Sequence, residues 1–156
     1  MKRNLWLFLV LITMFIGCRE DNPAFDGFAT CLINAQQFES NNVEFEKTKF
    51  SDPVSGQTKD QTRVEILGTQ GDRIILFFEG LESGSFTLTA DGINSGYYTD
   101  QTLNDYQSIS LLIFIDKYEK SDGVETISGT FEFVAQGIIT QGVVTVSNGN
   151  FSVSKN

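Results

Sequence analysis

The sequence predicts an all-β fold, an antiparallel β-sandwich or flattened barrel of about nine or ten strands, preceded by an N-terminal signal helix. Three observations lead there. Segments rich in valine, isoleucine, threonine and aromatic residues alternate apolar with polar, as half-buried strands do. Turn formers such as Gly71, Gly123 and Asn148-Gly149 punctuate the chain at short intervals. No stretch after residue 24 sustains helical periodicity over three turns. Two segments apolar on both faces argue against an open sheet, whose exposed edge would aggregate.

The leader comes first in the chain. Lys2 and Arg3 precede an apolar run, Leu5 to Ile16, interrupted only by Thr13, which is the order of a secretory signal. The run is too short to span a bilayer, which takes about 18 or more apolar residues, and Arg19, Glu20 and Asp21 close it. Phe15 lacks the small side chain that an ordinary cleavage site wants. Phe15-Ile16-Gly17-Cys18 instead resembles the bacterial lipobox, although Phe15 stands where that family favours leucine. The resemblance implies cleavage after Gly17 and a diacylglycerol on the Cys18 sulfur, a strong nucleophile. Two or three acyl chains, at about 0.8 kcal/mol per buried methylene, would hold the protein on a membrane. Arg19-Glu20-Asp21 resembles the signal that sends lipoproteins of the Bacteroidota to the outer face of the outer membrane. The chain thus divides into a signal peptide (1–17), a lipidated tether (18–24) and one β domain (25–156).

Within the domain the expected strands run in order. Asp26 to Ile33 is the first and Val43 to Phe50 the second, with Val43 and Phe45 opposite Glu44 and Glu46. Ser51 to Asp60, carrying Pro53 and Gly56, reads as a long loop. Thr62 to Gly68 pairs with Arg73 to Glu79 across Thr69–Asp72, and RIILFFE, apolar on both faces, points to a strand covered on two sides. Gly80 to Gly84 is a tight connection, and Ser85 to Ala90 turns Phe86 and Leu88 inward. A short strand is expected around Tyr97 and Tyr98. Ser108 to Tyr118 is the strongest strand, followed by a turn over Lys120–Gly123. Glu125 to Gln136 comes next with Ile127, Phe131 and Phe133 on one face. Gly142 to Ser147 then pairs with Asn150 to Ser154 through an Asn148-Gly149 hairpin turn.

The C-terminal third, ISGTFEFVAQG followed by VVTVSNGNFSV, resembles the closing motif of a family of uncharacterised Bacteroidota lipoproteins. That family carries a Gly-Thr-Phe-x-Phe strand before a hairpin ending in Asn/Asp-Gly-x-Phe. FATCLINAQQF at Phe28 to Phe38 is similar to the family's opening, with Asn34-Ala35 where it usually has Asn-Gly. The resemblance implies location and fold, and it brings no functional residues.

Charge narrows the partners. Loss of residues 1–17 removes Lys2 and Arg3 and leaves nine basic against 20 acidic residues, a net charge of −11. Such a surface repels nucleic acid and anionic lipid. The remaining 139 residues suffice for a core without covalent staples. With Cys18 lipidated, Cys31 has no disulfide partner and reads as a buried small hydrophobe. No histidine is present, which removes Ser-His-Asp and Cys-His systems and histidine zinc sites.

Asp91, Asp100 and Asp105 share one polar region, where two acids could in principle serve a glycosidase-like hydrolase, although solvated loop charges are the plainer reading. Asp91-Gly92-Ile93-Asn94-Ser95 spaces oxygen ligands alternately, as a calcium loop does, but lacks the distal glutamate. Tyr97, Tyr98 and Tyr106, near Asn94, Asp100 and Gln107, suggest a ligand platform, since a ring face stacks while the hydroxyl hydrogen-bonds. Tyrosines at strand ends are also ordinary packing residues. The expectation is a lipid-anchored, non-enzymatic surface binding or interaction module with no cofactor or metal. Its partners would be the membrane through Cys18 and a glycan, peptide or envelope protein. A hydrolase using a loop acid pair and a purely structural envelope protein are the alternatives.

Overall fold

The computed structural model describes residues 25–53 and 55–156; the leader, Cys18 and the tether lie outside the described residues. Ten strands follow one another: β1 (Phe25–Ile33), β2 (Gln36–Ser40), β3 (Val43–Ser51), β4 (Thr58–Leu67), β5 (Arg73–Glu79), β6 (Gly84–Thr87), β7 (Ser95–Thr99), β8 (Asp105–Ser121), β9 (Val124–Gly137) and β10 (Val143–Lys155). All pairings are antiparallel, in one sheet ordered β2-β1-β10-β9-β8-β7-β5-β4-β3, with β6 added to the distal half of β8. The sheet is open, because β2 and β3 are its edges and do not pair. It is also rolled: Phe25 of β1 meets Phe45 of β3 edge-on at 6.3 Å between ring centroids, and Lys47 of β3 reaches Glu125 of β9 at 3.1 Å. One curled sheet therefore supplies both walls of a flattened barrel.

Alternation decides which side chains fill it. Along β8, Leu111, Ile113 and Ile115 point inward and are buried. They meet Val64, Ile66, Ile74, Leu76 and Phe78 of β4 and β5 and Ile127, Phe131 and Phe133 of β9 in one apolar core. Cys31 is buried in this core and unpaired. Burial, followed by the nearby charge of Asp72, pushes its thiol up to about 12, so the group is inert.

The structure differs from the sequence reading at several points. Gln36–Ser40 is a strand that the sequence hides, since Phe38 is its only large apolar residue. It forms because Asn34 and Ala35 both adopt positive φ, 50° and 66°, as a tight two-residue hairpin turn requires. Asn148-Gly149 is not a hairpin turn: β10 runs straight through it, paired with β9 on one side and β1 on the other. The pair forms a bulge instead, with Asn148 at φ 52° and the register shifting between Val146 and Gly149. Gly149 is needed there because a Cβ would lie 2.5 Å from the Phe131 carbonyl oxygen. The predicted 51–60 loop shrinks to residues 52–57, since strands occupy both its ends. The strand predicted at 85–90 stops at Thr87 and leaves Leu88 exposed. No second layer covers β5 and β8 among the described residues. Ile75 and Phe77 are only half-buried, and Leu112 and Phe114 on the outer side of β8 are 41% and 43% exposed.

β6 is set apart by Asn94. Its side-chain oxygen accepts from the Glu79 N–H at 2.8 Å, and its amide donates to the Thr87 carbonyl at 3.1 Å. One side chain thus bridges β5 to the residue that ends β6.

Candidate functional site

Two concavities stand out on the described surface. The larger, about 1080 Å³, opens where β6 leaves the sheet and is floored by Leu81, Phe86 and Tyr118. Its lysines are committed to nearby acids: Lys47 to Glu125, Lys59 to Asp91 at 3.6 Å and Glu79 at 4.0 Å. Lys47 also lies 5.7 Å from the centre of the Tyr118 ring.

The second, about 470 Å³, is a cup at the end of the barrel formed by the β1–β2, β4–β5 and β7–β8 turns. Its size lies within the small-ligand range of roughly 300–1,000 Å³. Five side-chain amides line it, Asn34, Gln36, Gln37, Gln70 and Gln101, together with Glu39, Asp72, Asp100, Tyr98 and Tyr106. No lysine or arginine is among its lining residues.

Local structure fixes several of these groups. The Gln101 amide donates to the Gln70 oxygen at 2.7 Å and links two turns. Asn34 accepts from the Thr145 N–H at 2.9 Å, and its own N–H donates to the Thr145 carbonyl at 2.9 Å, which ties the hairpin to β10. Asp100 organises its turn: its carboxylate accepts from the Asn104 amide, the Asn104 and Thr102 N–H groups and the Thr102 hydroxyl, all within 2.8–2.9 Å. These bonds, those of Asn104 foremost, hold its carboxyl far below the usual range.

Asp72 contrasts with Asp100. It is only 9% exposed, lines the cup, and its carboxylate has no hydrogen bond or ion pair among the described residues, its oxygens reaching solvent instead. Gly68 makes room for it, since a Cβ there would lie 2.0 Å from the Asp72 Oδ1. Its charge is felt by Tyr98, whose phenol is pushed up to about 12 by burial first and then by Asp72 and Asp100.

The structure divides the three tyrosines. Tyr98 and Tyr106 are cross-strand partners with ring centroids 5.8 Å apart. Tyr97 faces the other side of the sheet, edge-on to Phe77 at 5.9 Å, and accepts from the Gln107 amide at 3.4 Å. Tyr98 is buried, and the Tyr106 ring sits between Tyr98 and the Gly137–Gly142 corner. The cup is therefore met by the polar edges of two tyrosines rather than by three open ring faces.

The acids are divided as well. Asp91 pairs with Lys59, and hydrogen bonds from Thr89 and the Ile93 N–H lower its carboxyl. Asp105 accepts from the Thr99 hydroxyl at 2.8 Å. In the 91–95 segment, Asn94 is turned toward β5 and β6, and the Ser95 hydroxyl donates to the Gly92 carbonyl at 3.2 Å. Among the described residues no three acid or thiol groups are grouped to hold a metal ion.

Comparison with known proteins finds no match among protein-family models, curated proteins or solved structures.

Proposed function

We propose that the chain is a lipid-anchored lipoprotein of the Bacteroidota type, held at the outer face of the outer membrane through Cys18, and that its cup is a non-enzymatic binding site for a small, donor-rich ligand such as a glycan. The carrying observation is Asp72, a nearly buried carboxylate that lines a cup of amides and has no partner among the described residues. A carboxylate that lines the cup without a partner among the described residues leaves its acceptor sites to a bound donor. The position suits display: Phe25, where the tether joins, is at the start of β1, while the cup lies past the far end of that strand at Ile33. A binding role fits better than hydrolysis, because the three acids do not line one cleft: Asp91 pairs with Lys59, Asp105 accepts from the Thr99 hydroxyl and is absent from the cup lining, and Asp100 is engaged by its own turn.

Glycan-array screening of the wild type against Gln36→Ala and Gln101→Ala tests the site. A signal lost in both variants supports it, and a signal unchanged in both refutes it. Detergent-phase partitioning of Cys18→Ser tests the anchor, with the variant expected in the aqueous phase or unprocessed. A second reading, docking of an envelope protein, draws on Leu103, Ile138 and Ile139, which stand exposed in the turns beside the cup.

A further inference from the structure

We infer that the cup selects an ammonium group, so that its ligand is an amino sugar or a glycan bearing one, seated with its ammonium on Asp72. The inference rests on the cup being a ligand site and goes beyond it by naming the group recognised. Three features point the same way. Asp72 is a carboxylate, which only accepts hydrogen bonds, and it is nine-tenths buried against the cup with no counter-charge among the described residues, its oxygens still touching solvent. A neutral hydroxyl would satisfy one lone pair and leave the charge, whereas an ammonium offers three donors and cancels it. The charged side chains lining the cup, Glu39, Asp72 and Asp100, are all acidic, so their summed field favours a cation. A bare metal ion is the poorer fit, because no three acids among the described residues are placed to coordinate one.

The rest of the lining suits the remainder of such a ligand. Gln36, Gln37 and Gln70 offer donors and acceptors for ring hydroxyls, and Tyr106 adds its phenol beside Asp100 at 3.4 Å. Asp72 is positioned for this role by the turn itself: the Gly68 N–H donates to the Asp72 carbonyl at 2.8 Å, and Gly71 at φ 90° reverses the chain between β4 and β5.

The test is titration of the full-length protein at pH 6 with a fully deacetylated glucosamine trimer and with its N-acetylated counterpart, by calorimetry and by NMR shifts of the Tyr98 and Tyr106 amides. The charged trimer is expected to bind at least about tenfold tighter. Asp72→Asn should abolish that preference while its melting temperature stays at or above that of the wild type, which separates lost recognition from lost folding. Equal affinity for both trimers, or a preference kept in Asp72→Asn, overturns the ammonium reading and leaves the cup as a site. Absence of binding by either trimer overturns both.

Discussion

The two ends of the barrel handle charge in opposite ways. Toward the end where Phe25 begins, all six lysines beyond residue 24 have a partner. Lys47 and Lys120 share Glu125, Lys49 pairs with Asp60, Lys59 with Asp91, Lys117 with Glu119, and Lys155 lies 5.6 Å from the Phe25 ring centre. At the cup end no lysine or arginine is among the lining residues, and Asp72 has no hydrogen bond or ion pair through its carboxylate among the described residues. The same acidic domain thus neutralises itself at the Phe25 end and leaves the charge of Asp72 without a counter-ion at the cup end. Charges that are mutually satisfied add a little stability, and a charge held unsatisfied is destabilising unless a ligand completes it.

The core is common ground for both ends, so breaking it should have the largest effect. Phe78 is fully buried and lies 5.1 Å from Phe86; Phe78→Ala should cost about 3–5 kcal/mol in chemical denaturation. Neutralising single acids then separates the ends by sign. Asp72→Asn removes a mostly buried charge with no ion-pair partner among the described residues and should raise stability by about 1 kcal/mol. Glu125→Gln should lower it by about 0.5–1 kcal/mol, because its lysine partners are largely exposed. Denaturation midpoints check both, and equal signs would erase the contrast between the ends.

The Glu125 effect carries a pH signature. Its hydrogen bonds from Lys120 and Lys47 lower its carboxyl below the ordinary 4.5. The stability it contributes is complete above pH 4.5 and is lost as pH falls through the lowered folded value. Glu125→Gln should therefore match the wild type in strong acid and differ from it at neutrality. A smaller gain is expected from Ala35→Gly at the cup hairpin. A non-glycine residue at φ 66° is strained, and relief less the glycine entropy leaves about 0.5 kcal/mol in thermal melts. The smallest effect is local. The Thr102 and Asn104 amide resonances should hold steady down to acid well below the ordinary 3.8 of Asp100, then shift together as its carboxyl protonates.

How much of this was legible in the sequence varies with how far each feature depends on distant contacts. The inward stripe of β8 and β9 was plain, because a period of two with β-branched and aromatic residues needs no partner to be read. Asn148-Gly149 was misread for a physical reason: a tight turn and a bulge both use a left-handed residue followed by glycine, and only flanking strands on both sides decide between them. β2 escaped because Ala35 hides its turn and a single buried phenylalanine shows no period. At the cup, Tyr98 and Tyr106 stood out as tyrosines near acids and amides. Asp72 did not, since in GTQGD it reads as one more turn residue, and its isolation is a property of the folded barrel.

The two-residue link between β2 and β3, residues 41–42, has a practical consequence. Ser40 hydrogen-bonds the Leu67 carbonyl at 2.6 Å, and the Asn42 carbonyl accepts from the Leu67 N–H at 3.0 Å, so two residues tie the link between β2 and β3 to the end of β4, although β2 and β3 end the sheet on opposite sides. A protease nick between Asn41 and Asn42 would create new termini at the only covalent join between those margins. The cleaved protein should keep its strand order and could then be reassembled as a circular permutant starting at Asn42.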